Sequence, residues 1–322
     1  MTPRILLIRL SSLGDIVLMM PLIRALRRKY PDAEIDLIVK SQFEPLARRF
    51  PGLTNIIAFD TKATKLSAMR AELQAKNYTH VLDLHGSLRS RVLRKLSGAK
   101  IAIIRKRPIK RWFLVDLKFD FLRHDPDAIG RYFETAAALD VKDTGEAPTF
   151  DLAPITPDDK LIAFCPGAKH YNKQWPPPYY RALAKELVEK GYTIECFGSA
   201  DERELAQYIS EDLPKDSFRI RCGEVPLEAL PEEFARAHVA VTNDSALMHI
   251  AAAAGVPTVS MFGPTVRSLG FFPRAKSSIV LEVEKLRCRP CTTIGMSRCP
   301  KGHFRCMREI EPEQVMVAIE NA

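Results

Sequence analysis

The stretch Val239-Ala-Val-Thr-Asn-Asp244-Ser-Ala-Leu-Met-His249-Ile-Ala-Ala-Ala-Ala-Gly255-Val-Pro257-Thr-Val-Ser-Met-Phe-Gly263-Pro-Thr265 decides the fold. It reads as a buried strand, a polar turn, a small-residue helix, a Gly break, a second buried strand and a Gly-Pro-Thr turn. The polar turn follows a strand directly and opens a helix, which in an open parallel sheet is where ligands sit. The helix start offers unpaired backbone N–H groups and the positive end of the helix dipole, a setting suited to phosphate. Asp244 and Ser245 add side chains beside those groups, and His249 lies one turn further on. Asn-Asp-Ser is also an ordinary helix cap, so the stretch by itself leaves both readings open.

Outward from this stretch the same pattern recurs. Arg4–Leu10 is a short strand, Ser11-Ser12-Leu-Gly14-Asp15 a turn, Ile16–Tyr30 an amphipathic helix and Ala33–Val39 the next strand, together a βαβ unit. Asp15 at the helix start is placed either as a general base or simply to favour the dipole. Strands are expected at Asn55–Phe59 and His80–His85, with helices at Phe43–Phe50, Lys65–Lys76 and Arg131–Leu139. The fourth strand ends in Asp83, His85 and Gly86, so His85 falls at a ligand-facing edge. Lys142–Pro157 is rich in Pro, Asp and Thr and marks a boundary near residue 155. The pattern then restarts at Leu161–Cys165, followed by a loop from Pro166 to Pro176 that holds Gly167 and Lys173. Further strands are expected at Thr193–Phe197 and Phe218–Arg221, with helices at Tyr179–Lys190, Glu204–Ile209 and Leu227–Ala237. The expected fold is therefore α/β, two doubly wound Rossmann-like domains spanning 1–155 and 156–322 and facing across a cleft.

Composition is that of an ordinary globular protein: 322 residues, 46% hydrophobic and 27% charged, with a net charge of +9. A basic surplus of this size points to an acidic partner. It is concentrated in residues 86–123, which hold twelve Lys/Arg against two Asp. Arg89, Arg91, Arg105, Lys106 and Arg107 belong to this run, and Trp112, Phe113, Phe119 and Phe121 lie near its end. A phosphate- or carboxylate-binding face, an anionic membrane surface and a merely solvated basic face are the readings in contention. No RNA-recognition signature accompanies the run, so no nucleic-acid partner is expected. No run of 18 apolar residues and no secretory pattern is visible, so a cytoplasmic location is expected.

Cys288-x2-Cys291-x7-Cys299-x6-Cys306 forms a thiol-rich loop, 288–306, before the last helix. Its opening pair has the spacing of a metal knuckle and its second pair does not. A structural Zn or Fe and free thiols are both open on spacing.

Three segments together resemble glycosyltransferase family 9, the lipopolysaccharide heptosyltransferases. They are Ile5–Pro21 with Gly14-Asp15, Pro166-Gly167…Lys173-Gln-Trp175-Pro, and Thr242-Asn-Asp244-Ser…His249…Phe262-Gly263-Pro-Thr265. The resemblance implies the GT-B fold, with the acceptor on the N-terminal domain and the nucleotide-sugar on the C-terminal one. It implies transfer of heptose from ADP-heptose to the inner core on lipid A, inverting at the anomeric carbon and requiring no cofactor. By the same resemblance Asp15 is the general base and Lys173 neutralises the donor diphosphate. Asp244, Ser245 and Ala246 hold the diphosphate and sugar, supported by His249. Gly167, Gly263 and Thr265 lie beside the donor, Asp201 or Glu202 meets the ribose, and Ser12, Gly14, His85 and the basic run meet the acceptor. An enzyme of the same fold with another donor or acceptor, and a non-catalytic basic binding protein, are the alternatives. Many relatives carry Gly where this chain has Ala246, which fits only if that residue has a helical φ.

Overall fold

The computed structural model describes residues 2–322. The chain forms two compact units, residues 1–107 with 126–151, and 108–125 with 152–322. The division near residue 155 thus falls after Asp151, and a single cut does not describe it. Eighteen residues that take in the end of the basic run, Pro108–Asp125, pack with the second unit.

The first unit carries five parallel strands, β1 Arg4–Ile8, β2 Glu34–Lys40, β3 Asn55–Phe59, β4 His80–Asp83 and β5 Lys100–Ile103, in the order β3-β2-β1-β4-β5. β1 pairs with both β2 and β4, so the chain direction reverses beside it. Ile5, Leu6, Leu7 and Ile8 are fully buried, each contributing about 1.5–3 kcal/mol of transfer free energy. Because Ile8 is level with Asp83, the turns that leave β1 and β4 emerge side by side at the switch point, where ligand sites form. The helix expected over Ile16–Tyr30 is two helices, Leu13–Val17 and Met20–Lys29. Pro21 lacks the N–H that would continue the first ladder. At the junction the Met19 N–H turns back to the Ile16 carbonyl, a tighter i−3 bond.

The second unit carries β6 Asp158–Cys165, β7 Thr193–Cys196, β8 Phe218–Ile220, β9 Ala237–Asn243, β10 Thr258–Met261 and β11 Ser278–Leu281, all parallel, in the order β11-β10-β9-β6-β7-β8. Here the direction reverses between β6 and β9, whose ends are level at Cys165 and Thr242. The loop beginning at Pro166 and the turn at Asp244-Ser245 therefore leave the sheet as neighbours. The helix Ala246–Ala253 follows at once. Met248, Ile250, Ala251 and Ala253 are buried, which the small side chains permit by letting the helix lie close to the sheet. Trp175, Tyr180 and Phe164 form a nest of edge-on rings beneath β6, with centroids 4.9 and 5.4 Å apart for Trp175–Tyr180 and Phe164–Tyr180. Both sheets are wholly parallel and doubly wound, as expected from the repeated strand–turn–helix pattern. Among the described residues no helix is long and apolar enough to cross a membrane.

Candidate functional site

In the first unit the turn after β1 delivers Ser12 and Asp15. Asp15 lies in the first turn of Leu13–Val17, and its Oδ2 accepts from the Ser12 amide at 3.2 Å and the Ser12 hydroxyl at 2.5 Å. Its Oδ1 meets Nη2 of Arg9 at 2.7 Å. Burial pushes the Asp15 carboxyl up, but the Arg9 charge and the Ser12 hydrogen bonds outweigh it and hold the group below the usual carboxylate range. Arg9 itself is 9% exposed and also donates to the Leu84 carbonyl. Its guanidinium lies 5.8 Å from the ring centroid of Tyr132, and the Tyr132 hydroxyl donates to the Asp15 carbonyl at 3.1 Å. Gly14 is buried within the same short helix.

His85 arrives from the neighbouring turn. Asp83, fully buried, accepts from the His85 and Gly86 amides at 3.1 and 2.8 Å, from Ser90 at 2.9 Å and from Arg94 at 2.6 Å. This carboxylate fixes the turn. The imidazole Nδ1 is buried and has no hydrogen-bond partner. Burial, then the charges of Arg9 and Lys106, depress the imidazole to about 4, so it is neutral near pH 7. Gly86 has φ +58°, and Lys106 Cε lies 3.1 Å from where a Cβ would stand, so the lysine stem crosses that glycine.

The rest of the basic run is dispersed. Arg89 and Arg91 lie exposed on the helix Leu88–Leu93, and Arg105 is exposed beyond β5. Arg107 Nη2 donates to both carboxylate oxygens of Glu134, at 2.7 and 2.9 Å, which engages its guanidinium within the first unit.

In the second unit one turn gathers most of the expected donor residues. Asp244 is 6% exposed; its Oδ2 accepts from Lys173 Nζ at 2.6 Å and Thr265 Oγ1 at 2.7 Å. Lys173 reaches it from the loop after β6, which Asn243 fixes: its Oδ1 accepts from the Trp175 amide at 2.9 Å and its Nδ2 donates to the Pro166 carbonyl at 2.7 Å. Trp175 is pinned in turn by its indole N–H on the Ile310 carbonyl at 2.7 Å. Ser245 is the N-cap of Ala246–Ala253, and its hydroxyl is buried with no partner. A buried hydroxyl left open at a helix start is what an anionic ligand oxygen would satisfy. Ala246 takes the first helical position, so its methyl carries no positive-φ strain there. His249 is buried one turn further along the same helix.

Gly167 and Gly198 lie two residues beyond the ends of β6 and β7 and face the Glu202 carboxylate. A Cβ at Gly167 would stand 1.7 Å from Glu202 Oε1, and one at Gly198 2.5 Å from Oε2. The same carboxylate accepts from the Ser199 amide at 2.7 Å. Glu202 is thus brought to the strand ends, whereas Asp201 is exposed and makes no such contact. Of the two acidic residues offered for the ribose, Glu202 is the one that stands beside Gly167 and Gly198.

Sequence reasoning passed over Arg9, which it read only as a charge interrupting an apolar run, and Arg289. Arg289 is the brace of the Gly263-Pro-Thr265 turn. It donates to the carbonyls of Gly263 at 2.5 Å, Thr265 at 2.9 Å and Phe262 at 3.1 Å, and pairs with Glu282 at 2.6 Å. An arginine inside the thiol loop carried no motif that would have revealed this.

Of the two readings left open for the thiol loop, the structure has the free thiols. Among the described residues no group of three or more His, Cys, Asp or Glu is placed to hold a metal ion. All four cysteines are free thiols. Cys306 sits on the helix Arg305–Arg308 and packs into the main apolar core of the second unit, with Sγ 3.3 Å from where a Cβ of Gly263 would stand. Burial, then the neighbouring Cys291 thiol, pushes its own thiol up to about 12. Cys288 Sγ faces His303 Nε2 at 3.7 Å, a hydrogen-bonding distance. Without a second CxxC knuckle, the last two thiols have no local turn that aims them at a common point.

Two parallel, doubly wound units with polar turns at both switch points have the GT-B fold, and the match to solved structures carries this. The chain aligns with E. coli ADP-heptose lipopolysaccharide heptosyltransferase II at a TM-score of 0.77 and 24% identity, covering 99% of this chain and 98% of that one. With a family 9 glycosyltransferase from Veillonella parvula the TM-score is 0.80 at 22% identity, over 99% and 97% of the two chains. The family model described as glycosyltransferase family 9 (heptosyltransferase) matches residues 66–298, most of the chain, and the protein belongs to that family. Among curated relatives, lipopolysaccharide heptosyltransferase 2 of Escherichia coli strain K12 is 28% identical over 289 residues, 81% of this chain and 83% of the relative.

Proposed function

We propose that this enzyme transfers heptose from ADP-heptose to a sugar of the lipopolysaccharide inner core on lipid A, with inversion, the second unit taking the donor and the first the acceptor. The observation that carries the reading is the turn at Asp244-Ser245: a lysine, a buried carboxylate and an unpartnered buried hydroxyl converge where a helix begins. That set suits a diphosphate linked to a polyol sugar. The relatives' names supply the heptose and the ADP.

In the reaction the acceptor oxygen bonds to the anomeric carbon as the bond from that carbon to the diphosphate oxygen breaks. ADP leaves with the electron pair, and the acceptor proton passes to Asp15. A carboxylate held ionised is ready to receive a proton at neutral pH, and one base is enough for direct displacement. Lys173 and the helix-end N–H groups carry the charge that develops on the departing diphosphate, where exclusion of water makes them most effective. Lys173 must then share itself between Asp244 and the phosphate oxygens. Asp244 is free to accept from sugar hydroxyls once that pairing loosens. His85, neutral and with an open nitrogen, is suited to accept from an acceptor hydroxyl, and Ser12 orients Asp15. No cofactor enters this scheme. We place the work on the cytoplasmic side of the membrane that bears the acceptor.

Calorimetric titration of ADP, UDP and GDP into the wild type and Lys173→Ala tests the donor. Selective ADP binding, weakened by about tenfold or more in the variant, supports the reading. Selective UDP or GDP binding keeps the glycosyltransferase and removes the ADP-heptose assignment.

A further inference from the structure

We propose that Pro108–Asp125 of the second unit is an interfacial anchor that seats the enzyme on an anionic phospholipid bilayer. The inference deepens the functional reading above, resting on its claim that the acceptor is carried on a lipid.

The helix Pro108–Asp116 has the reverse of an ordinary surface pattern. Leu114 alone is buried, packed with Leu122 and Leu269. The outward positions Ile109 and Trp112, at helical spacing, are 70% and 52% exposed, and in the return that follows Phe119 and Phe121 are 60% and 55% exposed. The rings touch one another rather than the core. Trp112 and Phe113 have centroids 5.1 Å apart, Phe113 and Phe121 5.3 Å, and Phe119 and Phe121 6.4 Å. A contiguous aromatic cluster left in water is costly and marks a surface that something covers.

The cluster is held outward by design of the surrounding bonds. Lys110 pairs with Asp125 at 2.8 Å across the two ends of the segment. Lys118 Nζ donates to the carbonyls of Val115 at 2.5 Å and Pro290 at 2.5 Å, and Ser268 donates to the Asp120 carboxylate. With the leucines buried beneath, the rings have no inward position to fall back to.

The chemistry of the surroundings selects the covering surface. Five of the seven residues Arg105–Arg111 immediately before Trp112 are Lys or Arg; Arg107 and Lys110 are paired with Glu134 and Asp125, while Arg105 before the rings and Arg123 after them are exposed. Trp and Phe flanked by cations suit the headgroup–acyl boundary of an anionic bilayer, where rings bury while guanidinium and ammonium groups meet lipid phosphates. The anchor differs from a uniformly basic face in that apolar insertion, not charge alone, fixes its depth.

Trp112 makes the test direct. The chain has two tryptophans, and the other, Trp175, is 1% exposed. The full-length wild type and the double variant Phe119→Ser/Phe121→Ser are mixed with vesicles of phosphatidylethanolamine and phosphatidylglycerol, and with phosphatidylcholine alone. Flotation and Trp emission are recorded. Heptose transfer is measured in parallel on acceptor embedded in vesicles and on a water-soluble, delipidated acceptor. The expected result is flotation with anionic vesicles, a blue-shifted Trp112 emission quenched by brominated acyl chains, and a partition coefficient reduced about tenfold per ring removed. The variant should retain its thermal midpoint and its turnover of the soluble acceptor, and lose turnover of the embedded one.

Flotation that is equal in the variant, or that comes without a blue shift and vanishes in salt, would overturn insertion in favour of charge-only contact. No flotation of the wild type would overturn the anchor outright. A lipid-free, concentration-dependent shift of Trp112 with dimer formation abolished in the variant would assign the patch to a second copy instead. Ring-dependent flotation by a wild type inactive on both acceptors would keep the anchor and defeat the functional reading.

Discussion

Arg9 and Asp15 show how much a single neighbour can set the range in which a carboxylate titrates, which matters if Asp15 is the base proposed above. The carboxylate is depressed because its charged form is paired at 2.7 Å and hydrogen-bonded by Ser12, despite burial acting the other way. The ionised form is the one that takes a proton, so activity should persist well into mild acid. Removing Arg9 takes away the favourable charge and leaves the burial, so the Asp15 pKa rises and the acid limb of kcat/KM moves to higher pH. Arg9→Met, profiled against pH beside the wild type, should show that displacement with a similar plateau. An unmoved acid limb would mean that Asp15 is not the titrating base. The same depression acts on stability. A carboxyl whose folded value lies below its unfolded one adds stability above the ordinary carboxylate range, and that contribution is lost as pH falls through the folded value. On the proposed roles, Asp15→Ala should lower kcat by about 10²–10⁴-fold while leaving ADP affinity unchanged, since that reading gives the donor to the other unit. Asp15 was legible as a candidate because Gly-Asp at a helix start after a strand is a recognisable pattern. Its partner was not, because a pairing that closes over six residues through a turn leaves no periodic trace.

At the scale of elements, the strand ends β6 and β7 are shaped by what they must not carry. Gly167 and Gly198 have no side chains because the Glu202 carboxylate occupies that space. Gly167→Ala would push the tip of a flexible side chain and not the backbone, so its main consequence is loss of the cap from Ser199. We expect about 1 kcal/mol of destabilisation and a weaker affinity for ADP, both readable by denaturant titration and calorimetry. The change should add little in a Glu202→Ala background, because the two substitutions remove the same contact. Full additivity would show that the glycine serves something other than Glu202. Most strands were readable to within a residue or two, because buried parallel strands are short apolar runs between turn residues. Sequence reading missed two strands, both at sheet edges: β11, Ser278–Leu281, and β5, Lys100–Ile103. Two of the four β5 residues are exposed isoleucines, so β5 shows neither a buried run nor an alternation, and it hides inside a segment dominated by charge. The helix Pro108–Asp116 was obscured in the same way: its outward face is apolar, so it lacks the polar half that makes an amphipathic period visible.

The whole molecule is two sheets with separate cores and, on the functional reading, separate ligands. A ligand stabilises the structure that binds it by an amount set only by its concentration relative to Kd, about 2.7 kcal/mol at a hundredfold excess. If the donor belongs to the second unit, ADP should raise the calorimetric transition of that unit and leave the transition of the first in place. The assignment of transitions comes from variants, one in each core. Leu7→Ala removes a fully buried side chain of β1, and Leu183→Ala one from the helix Pro177–Glu189. Each should lower its own transition by the equivalent of about 2–5 kcal/mol. Lys173→Ala should lower the second transition even without ligand, because Asp244 would keep a buried charge with its ion partner gone, a loss of about 3–5 kcal/mol, and it should abolish most of the ADP-induced rise. A single transition that ADP raises as a whole would mean that the two cores unfold together, and the division of ligands between units would need another measurement. A rise confined to the first transition would reverse the assignment of donor and acceptor. The two-sheet plan was readable because the strand–turn–helix pattern restarts after a proline-rich stretch. The exchange of residues 108–125 into the second unit was not. Local pattern reports what a segment becomes, whereas which core a segment joins depends on the few leucines it presents, here Leu114 and Leu122 against Leu269.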